Sequence, residues 1–311
     1  MTYRFDPELA AVLPAIPAVD FSDVSAARAG LDELSAQASA QIDTSGVLVE
    51  DRRVPASAGH RIPVRVYAPD DRDGRLPGVV YIHGGGFAVG SVESEHAGAV
   101  VLARAVGAVV VSVDYRLAPE HPFPAGLDDC YDTLTWMRDS ADELGIDVGR
   151  IAVFGNSAGG GLAAGLALMA RDRGGPSLCF QYLGIPELDD RLETVSMQTF
   201  VDTPLWNRPN AVISWQFYLG GDRSDVSLYA APARATDLSG LPPTYISTME
   251  FDPLRDEGLI YGLRLLQSGV TVEIHQYPGT FHGSALISTA ATSVRQSAES
   301  RDVMRRALHG S

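Results

Sequence analysis

The stretch IAVFGNSAGGGLAAGLALMA, residues 151–170, contains no charged residue and decides how the surrounding chain folds. Ile151 to Phe154 is a short apolar run typical of a buried strand, and a helical pattern continues from Ala158 to Arg173. The stretch is long enough in principle to cross a membrane. Glycines interrupt it at five positions, however, so we interpret it as a buried strand that turns directly into a buried helix.

Short apolar runs alternate with helical patterns along the rest of the chain. The other strand candidates are Gly78 to Ile82, Val109 to Val113, Phe180 to Ile185, Thr244 to Met249 and Val272 to Tyr277. The other helix candidates are Pro7 to Leu13, Ser22 to Ala40, Glu95 to Val106, Gly126 to Ser140, Asn210 to Leu219, Leu254 to Ser268 and Ser293 to Leu308. Fully apolar strands that alternate with helices predict an α/β fold with a mostly parallel sheet covered on both faces.

One earlier segment has a different pattern. Ile62, Val64 and Val66 alternate with Arg61, Arg65 and Tyr67. This alternation predicts a half-exposed strand at the edge of the sheet.

Composition excludes several functions. The 311 residues are 45% apolar with a net charge of −15, so a nucleic-acid partner is not expected. All 24 basic residues are arginine. The absence of lysine excludes a pyridoxal-phosphate Schiff base and a P-loop. The two cysteines, Cys130 and Cys179, do not make a disulfide framework or a four-ligand zinc site.

The N-terminal segment does not resemble a targeting signal. It carries acids at Asp6 and Glu8 and scattered prolines, which interrupt any apolar run. We therefore expect a soluble, cytoplasmic protein with no membrane partner. The sequence leaves a monomer and a homodimer open.

The turn within the opening stretch has the pattern G-x-S-x-G. Ser157 lies between Gly155 and Gly159, directly after a strand and before a helix. A tight turn there places the serine in a strained backbone, and the flanking glycines prevent clashes. The N-terminus of the following helix favours negative charge that develops at the serine. Chance matches are common in a chain with 31 glycines, but the position between strand and helix is specific.

A second glycine-rich segment, HGGGF, follows the strand Gly78 to Ile82. It runs from His83 to Phe87. Three glycines in succession allow backbone N–H groups to face a cavity, as in the oxyanion hole of esterases. The alternatives are a simple turn or a phosphate cradle, but no G-K-[ST] follows.

A nucleophilic serine needs a base and an orienting acid. Asp252 follows the strand Thr244 to Met249, and His282 follows the strand Val272 to Tyr277. The order serine, aspartate, histidine is that of α/β-hydrolases. Asp256 competes for the role of the acid, but it lies a helical turn further on and is better placed to cap the helix or pair with arginine.

Two other patterns suggest cofactors, and we reject both. Residues 159–164 fit the dinucleotide fingerprint G-x-G-x-x-A, but these glycines lie inside the predicted helix rather than in the turn after the strand. Asp189 and Asp190 could suggest a metal, but no His or Cys spacing accompanies them, so we expect a solvated loop there. We therefore expect no cofactor and no metal.

Together these motifs resemble the hormone-sensitive-lipase-like branch of the α/β-hydrolase carboxylesterases. The matching segments, in the order of that family, are HGGGF at 83–87, DYRLAPEHPFPA at 114–125, GNSAGGG at 155–161, DPLRDEG at 252–258 and FHG at 281–283. The segment at 185–206 is most similar to bacterial heroin-esterase-type members. In one departure, Asn156 stands where an aspartate is more common.

The resemblance implies a role for each matching residue. Ser157 would be the nucleophile, His282 the base and Asp252 its orienting acid. The resemblance and the two glycine motifs imply three further sets: oxyanion donors Gly85, Gly86 and Ala158; structural supports His83, Gly84, Gly155, Gly159, Tyr115, Arg116 and Glu120; and pocket residues Phe87, Phe200, Leu205 and Trp206.

The resemblance also implies one α/β-hydrolase domain over residues 1–311, with a helical cap formed by about 1–45 and 186–218. The expected activity is hydrolysis of small esters with short to medium acyl chains. Two alternatives stay open at this point. One is an amidase or deacetylase with the same triad, and the other is a ligand-binding receptor on this fold, which His282 argues against.

Overall fold

A computed structural model describes residues 3–16, 19–221 and 224–310. Within them a single eight-stranded sheet has the order β1-β2-β4-β3-β5-β6-β7-β8. β2 is antiparallel to β1 and β4, and all other neighbours are parallel, which confirms the predicted α/β class. The strands are β1 Val47–Pro55, β2 Arg61–Pro69, β3 Leu76–Ile82, β4 Val109–Val113, β5 Ile146–Asn156, β6 Phe180–Gly184, β7 Thr244–Phe251 and β8 Val272–Phe281.

Helices cover both faces of the sheet. They are α1 Pro7–Val12, α2 Val24–Ser39, α3 His96–Leu102, α4 Ala125–Asp139, α5 Ala141–Leu144, α6 Ala158–Asp172, α7 Val195–Thr199, α8 Arg208–Leu219, α9 Arg255–Gln267 and α10 Ala291–His309. Alternate residues of β3 point to opposite faces. Val80 and Ile82 pack with α4 and α6, whereas Val79 and Tyr81 pack with α3 and α10. The central strands are therefore buried on both sides, which explains their continuous apolar sequences.

The predicted edge strand is not at the edge. β2 lies between β1 and β4, and β1 forms that edge of the sheet. The sequence of β1, VLVEDRRVP, has four consecutive charged residues and therefore has no apolar alternation. Pairing across the strands accounts for part of this charge, because Arg65 Nε donates to Asp51 Oδ1 over 2.6 Å. β1 can be recognised as the edge strand only from its pairing with β2.

Two expectations from composition can be compared with the structure. In the described ranges, no helix combines the length and apolar character that crossing a membrane requires. Cys130 and Cys179 are both free thiols, and Cys130 is buried in α4.

Close backbone packing surrounds the turn between β5 and α6. A Cβ added to Gly159 would overlap the carbonyl oxygens of Ile82 and His83 at the end of β3. A Cβ added to Gly155 would overlap the carbonyl oxygen of Gly159 itself. The turn therefore depends on glycine for space, because neither neighbour is a flexible side chain that could move away.

We expect Gly159→Ala to destabilise the protein by about 3 kcal/mol or more, because β3 and α6 must separate to admit the methyl group. Urea unfolding measures this cost. Gly30→Ala is the matched control, since Gly30 lies on the exposed surface of α2 with no atom within 4 Å of an added Cβ. There the same substitution should stabilise by about 1 kcal/mol through helix propensity. Equal unfolding midpoints for the Gly159→Ala variant and the wild type would contradict this account of the turn.

Candidate active site

Three side chains from separate loops meet at the carboxyl edge of the sheet. Ser157 follows β5, Asp252 follows β7 and His282 follows β8. Ser157 Oγ lies 2.9 Å from His282 Nε2, and His282 Nδ1 lies 2.8 Å from Asp252 Oδ2. The three groups thus form one hydrogen-bonded chain, in which a proton can pass from the serine to the histidine.

The backbone of Ser157 holds its side chain in place. Its φ of 57° and ψ of −125° lie in a region that residues with a side chain rarely adopt. Its N–H donates to Gly184 O over 2.8 Å, and its carbonyl oxygen accepts from the N–H groups of Gly161 and Glu187. Bonds to β6, α6 and the segment after β6 therefore maintain the strained conformation.

Asp252 is fully buried and oriented on both of its oxygens. Oδ1 accepts the N–H of Leu254 over 2.9 Å, and Oδ2 faces His282. The competing acid, Asp256, has other partners. It accepts the N–H of Ser196 and pairs with Arg255, as the sequence suggested for a residue on the helix.

The HGGGF loop lies against the serine. A Cβ on Gly84 would be 3.5 Å from Ser157 Cβ. Gly85 has a φ of 112°, and an added Cβ would overlap the carbonyl oxygen of Val89. In the described part of the chain, no acceptor takes a hydrogen bond from the N–H of Gly85 or Gly86. Ala158 is the first residue of α6, where N–H groups have no acceptor within the helix.

His83 lies beneath the glycine loop as a neutral ring. Complete burial lowers its pKa from 6.5 to about 4. Its Nδ1 is 2.7 Å from Gly84 O, so this nitrogen carries the proton and donates it. The ring stacks on Tyr115 at 4.1 Å, and the Tyr115 hydroxyl donates to His83 O. These contacts fix the start of the loop without a charge.

The two remaining expected supports contact the loop's surroundings rather than the loop itself. Arg116 binds Asp129 on α4. Glu120 binds Arg28 of α2, whose Nε also donates to the carbonyl oxygen of Ala88. Arg28 therefore ties α2 to the residue just after the glycine loop, and Glu120 holds the Arg28 guanidinium in place.

The four expected pocket residues differ in position. The Trp206 ring centroid lies 5.8 Å from that of His282, and a Cβ on Gly283 would be 3.2 Å from Leu205 Cδ1. Leu205 also lines a cavity of about 290 Å³, whose lining includes no member of the triad. Phe87 is buried, with its ring stacked on Tyr218 at 3.9 Å. Phe200 packs against Tyr3, Phe251 and Arg255 instead. The structure therefore brings Leu205 and Trp206 towards the histidine, but does not bring Phe87 or Phe200 there.

The sequence suggested a solvated loop at Asp189 and Asp190, but the structure contradicts this. Both are buried, and each carboxylate forms a bidentate ion pair, Asp189 with Arg191 and Asp190 with Arg234. Arginine neutralises each charge, which is why burial is tolerated. Among the described residues, no cluster of three or more His, Cys, Asp or Glu side chains could hold a metal ion.

Two buried glutamates near the site have no counterpart in the sequence analysis. Burial raises the pKa of Glu187 to about 8, and also raises that of Glu257. Glu257 Oε1 accepts the backbone N–H of Leu188, immediately after Glu187. An acid in a loop or in the first turn of a helix usually faces solvent, so the sequence does not indicate that either is buried, although Glu257 lies within the DPLRDEG segment.

Known proteins are similar to this chain over most of its length. Residues 79–286 match the family described as having the alpha/beta hydrolase fold. Carboxylesterase NlhH of Mycobacterium tuberculosis is 44% identical over 271 residues, which cover 84% of this chain and 83% of that protein. Ethyl acetate hydrolase of Pseudomonas putida is 33% identical over 293 residues, which cover 89% of this chain and 91% of that protein.

A solved structure of a bacterial heroin esterase is 55% identical to this chain, with a TM-score of 0.97 and 98% coverage of both chains. This agreement extends the match beyond residues 79–286 to nearly the whole chain. The expectation from the sequence motifs is therefore confirmed: the chain belongs to the α/β-hydrolase family, in its hormone-sensitive-lipase-like branch.

Proposed function

We propose that this chain is a serine carboxylesterase that hydrolyses small esters with short to medium acyl chains. One observation supports this more than any other: the unbroken hydrogen-bonded chain from Ser157 through His282 to Asp252, next to unused backbone N–H groups. The names of the relatives, which include a carboxylesterase and an ethyl acetate hydrolase, agree with this activity.

The proposed reaction has two acyl-transfer steps. His282 Nε2 takes the proton of Ser157 Oγ as the oxygen attacks the ester carbonyl carbon. The N–H groups of Gly85, Gly86 and Ala158 stabilise the resulting oxyanion. The loss of one such donor costs about 3–4 kcal/mol of transition-state stabilisation in comparable enzymes. His282 then protonates the leaving alcohol, and an acyl-enzyme remains on Ser157.

Water completes the cycle by the same route. His282 removes a proton from the water, which attacks the acyl carbon, and the second tetrahedral intermediate collapses to release the acid. Asp252 orients the imidazole and stabilises the imidazolium that forms in each step. All proton transfers use groups of this chain and the substrates themselves.

The cap of residues 1–45 and 186–218 would enclose the acyl chain; residues 1–2 and 17–18 lie outside the described residues. Asn210 joins the two segments of this cap. Its side chain donates to Val19 O over 3.0 Å and accepts from Phe21 N over 3.4 Å. Phe21 in turn contacts Trp206 edge to face at 5.0 Å. The cavity of about 290 Å³ lies between the same segments.

The alternatives have less support. A receptor that only binds its ligand does not require the aligned proton path at Ser157. An amidase would use the same triad but must protonate a poorer leaving group, and comparison of matched aryl esters and anilides separates the two. The cytoplasmic location and the choice between monomer and homodimer stay predictions.

Ser157→Ala should abolish ester hydrolysis with little change in the unfolding midpoint.

Asp252→Asn should lower kcat by about 10⁴-fold, since the amide favours the wrong histidine tautomer. Asp256→Asn is the matched control, because Asp256 binds Ser196 and Arg255 and not His282. Its kcat should stay within a few-fold of wild type. Equal losses in the two Asp→Asn variants would contradict the assignment of the acid.

Turnover of p-nitrophenyl esters should be high from acetate to hexanoate and fall well before palmitate, because in a cavity of about 290 Å³ each excess methylene must displace packed side chains. No activation by a lipid interface is expected, since acids such as Asp6, Glu8 and Asp23 on the first cap segment repel anionic surfaces. Faster hydrolysis of emulsified triolein than of dissolved butyrate esters would contradict this prediction.

Ile16 tests whether the cavity holds the acyl chain. Ile16→Ala enlarges the cavity and should move the preferred acyl length upwards. Ile260→Ala makes the same change on the exposed surface of α9 and should leave the preference unchanged.

A further inference from the structure

A buried acid is linked to the glycine loop through one hydroxyl group. Ser214 on α8 places its Oγ 3.1 Å from Gly86 O and 3.1 Å from Glu187 Oε1. Both Ser214 and Glu187 have no exposed surface. The three groups thus connect the segment behind the nucleophile to the loop expected to hold the oxyanion.

The number of protons available for these hydrogen bonds decides the direction in which each of them runs. A serine hydroxyl has one proton to donate, and the carbonyl oxygen of Gly86 can only accept. Ser214 can therefore satisfy Gly86 only if its bond to Glu187 runs in the other direction. That direction requires a proton on the Glu187 carboxyl group. With an ionised Glu187, the serine proton has two acceptors, and one of them is left without a hydrogen bond.

The surroundings of Glu187 favour the protonated form. Its second oxygen, Oε2, is buried and has no hydrogen-bond partner among the described residues. The charged and titratable groups that face it are Asp252 after β7, Glu257 on α9 and Tyr218 on α8. None of these is a cation. Burial and the Asp252 charge raise the pKa of Glu187 to about 8.

The backbone of Glu187 also fixes where its side chain begins. Its N–H donates to Ser157 O over 3.1 Å, and its carbonyl oxygen lies 2.1 Å from where a Cβ on Gly161 would be. The residue therefore cannot shift without disturbing the first turn of α6. Changes at the carboxyl group are transmitted through Ser214 rather than absorbed by movement of the main chain.

We propose that Glu187 is a positioning residue which, as a neutral carboxylic acid, donates its proton to Ser214, so that Ser214 donates to Gly86 and fixes the oxyanion loop. This inference rests on the proposed esterase function. Deprotonation at alkaline pH would turn the Ser214 proton towards the carboxylate and leave Gly86 O without its donor. The relay is thus intact at neutral pH and is lost as the pH rises through the raised pKa of Glu187.

The test is the pH dependence of kcat for a butyrate ester, corrected for spontaneous hydrolysis. Wild-type kcat should fall on the alkaline side of neutrality. In Glu187→Gln the amide N–H₂ group donates to Ser214 at every pH, so the alkaline decline should disappear. Glu187→Met and Ser214→Ala remove the relay and should lower kcat by about tenfold or more at neutral pH, with a smaller change in KM.

Glu257→Gln is the matched control. Glu257 is also a buried acid with a raised pKa, but it binds backbone N–H groups and not Ser214. Its variant should retain the alkaline decline. The proposal is overturned if Glu187→Gln keeps that decline, or if it loses as much activity at neutral pH as Glu187→Met. Unfolding midpoints of all variants show whether each is folded.

A second measurement does not depend on catalysis. The infrared difference spectrum between wild type and Glu187→Gln at neutral pH should contain the carbonyl band of a protonated carboxyl group. If wild type hydrolyses no ester but shows this band, the proposed function fails while Glu187 is still neutral. A carboxylate band in its place overturns the inference, whatever the activity.

Discussion

The contact between the turn after β5 and the end of β3 is the constraint on which the rest of this structure depends. Gly159 lies so close to the carbonyl oxygens of Ile82 and His83 that no side chain fits between them. This contact brings the start of α6 against the start of the HGGGF loop. A nucleophile at Ser157 and N–H donors at Gly85 and Gly86 are therefore positioned by the same piece of backbone packing, and neither can be displaced independently.

The parallel sheet supplies the other half of the site. β5, β7 and β8 run in the same direction, so the loops that follow them emerge at one edge. Ser157 and Asp252 are 125 and 30 positions away from His282 in the sequence. The shared edge is why both nevertheless lie within hydrogen-bond distance of it. Rigid strands determine these distances, and the loops need to supply only the side chains.

Features of the fold and site that depend on local sequence could be predicted, and those that depend on distant partners could not. The apolar strands, the G-x-S-x-G turn and the HGGGF loop are each visible in a few consecutive residues. β1 could not be predicted because four consecutive charged residues hide any apolar alternation, and Asp51 meets its partner Arg65 only across the sheet. The burial of Asp189 and Asp190 depends on Arg191 and Arg234, and one of these lies far away in the chain. The cap sequence predicts Phe200 in the pocket because it is aromatic, but only tertiary packing shows that it contacts Tyr3 and Phe251 edge to face instead.

The buried acids show how burial and hydrogen bonding together assign different tasks to the same functional group. Asp252 receives hydrogen bonds on both oxygens, from Leu254 N and from His282, and its negative charge has a use when the imidazolium forms. Glu187 has one hydroxyl neighbour, and a second charge there would oppose that of Asp252. A site that must stabilise a transient oxyanion works against every permanent negative charge near it. Keeping one acid ionised beside the histidine and the other neutral beside the glycine loop satisfies both requirements.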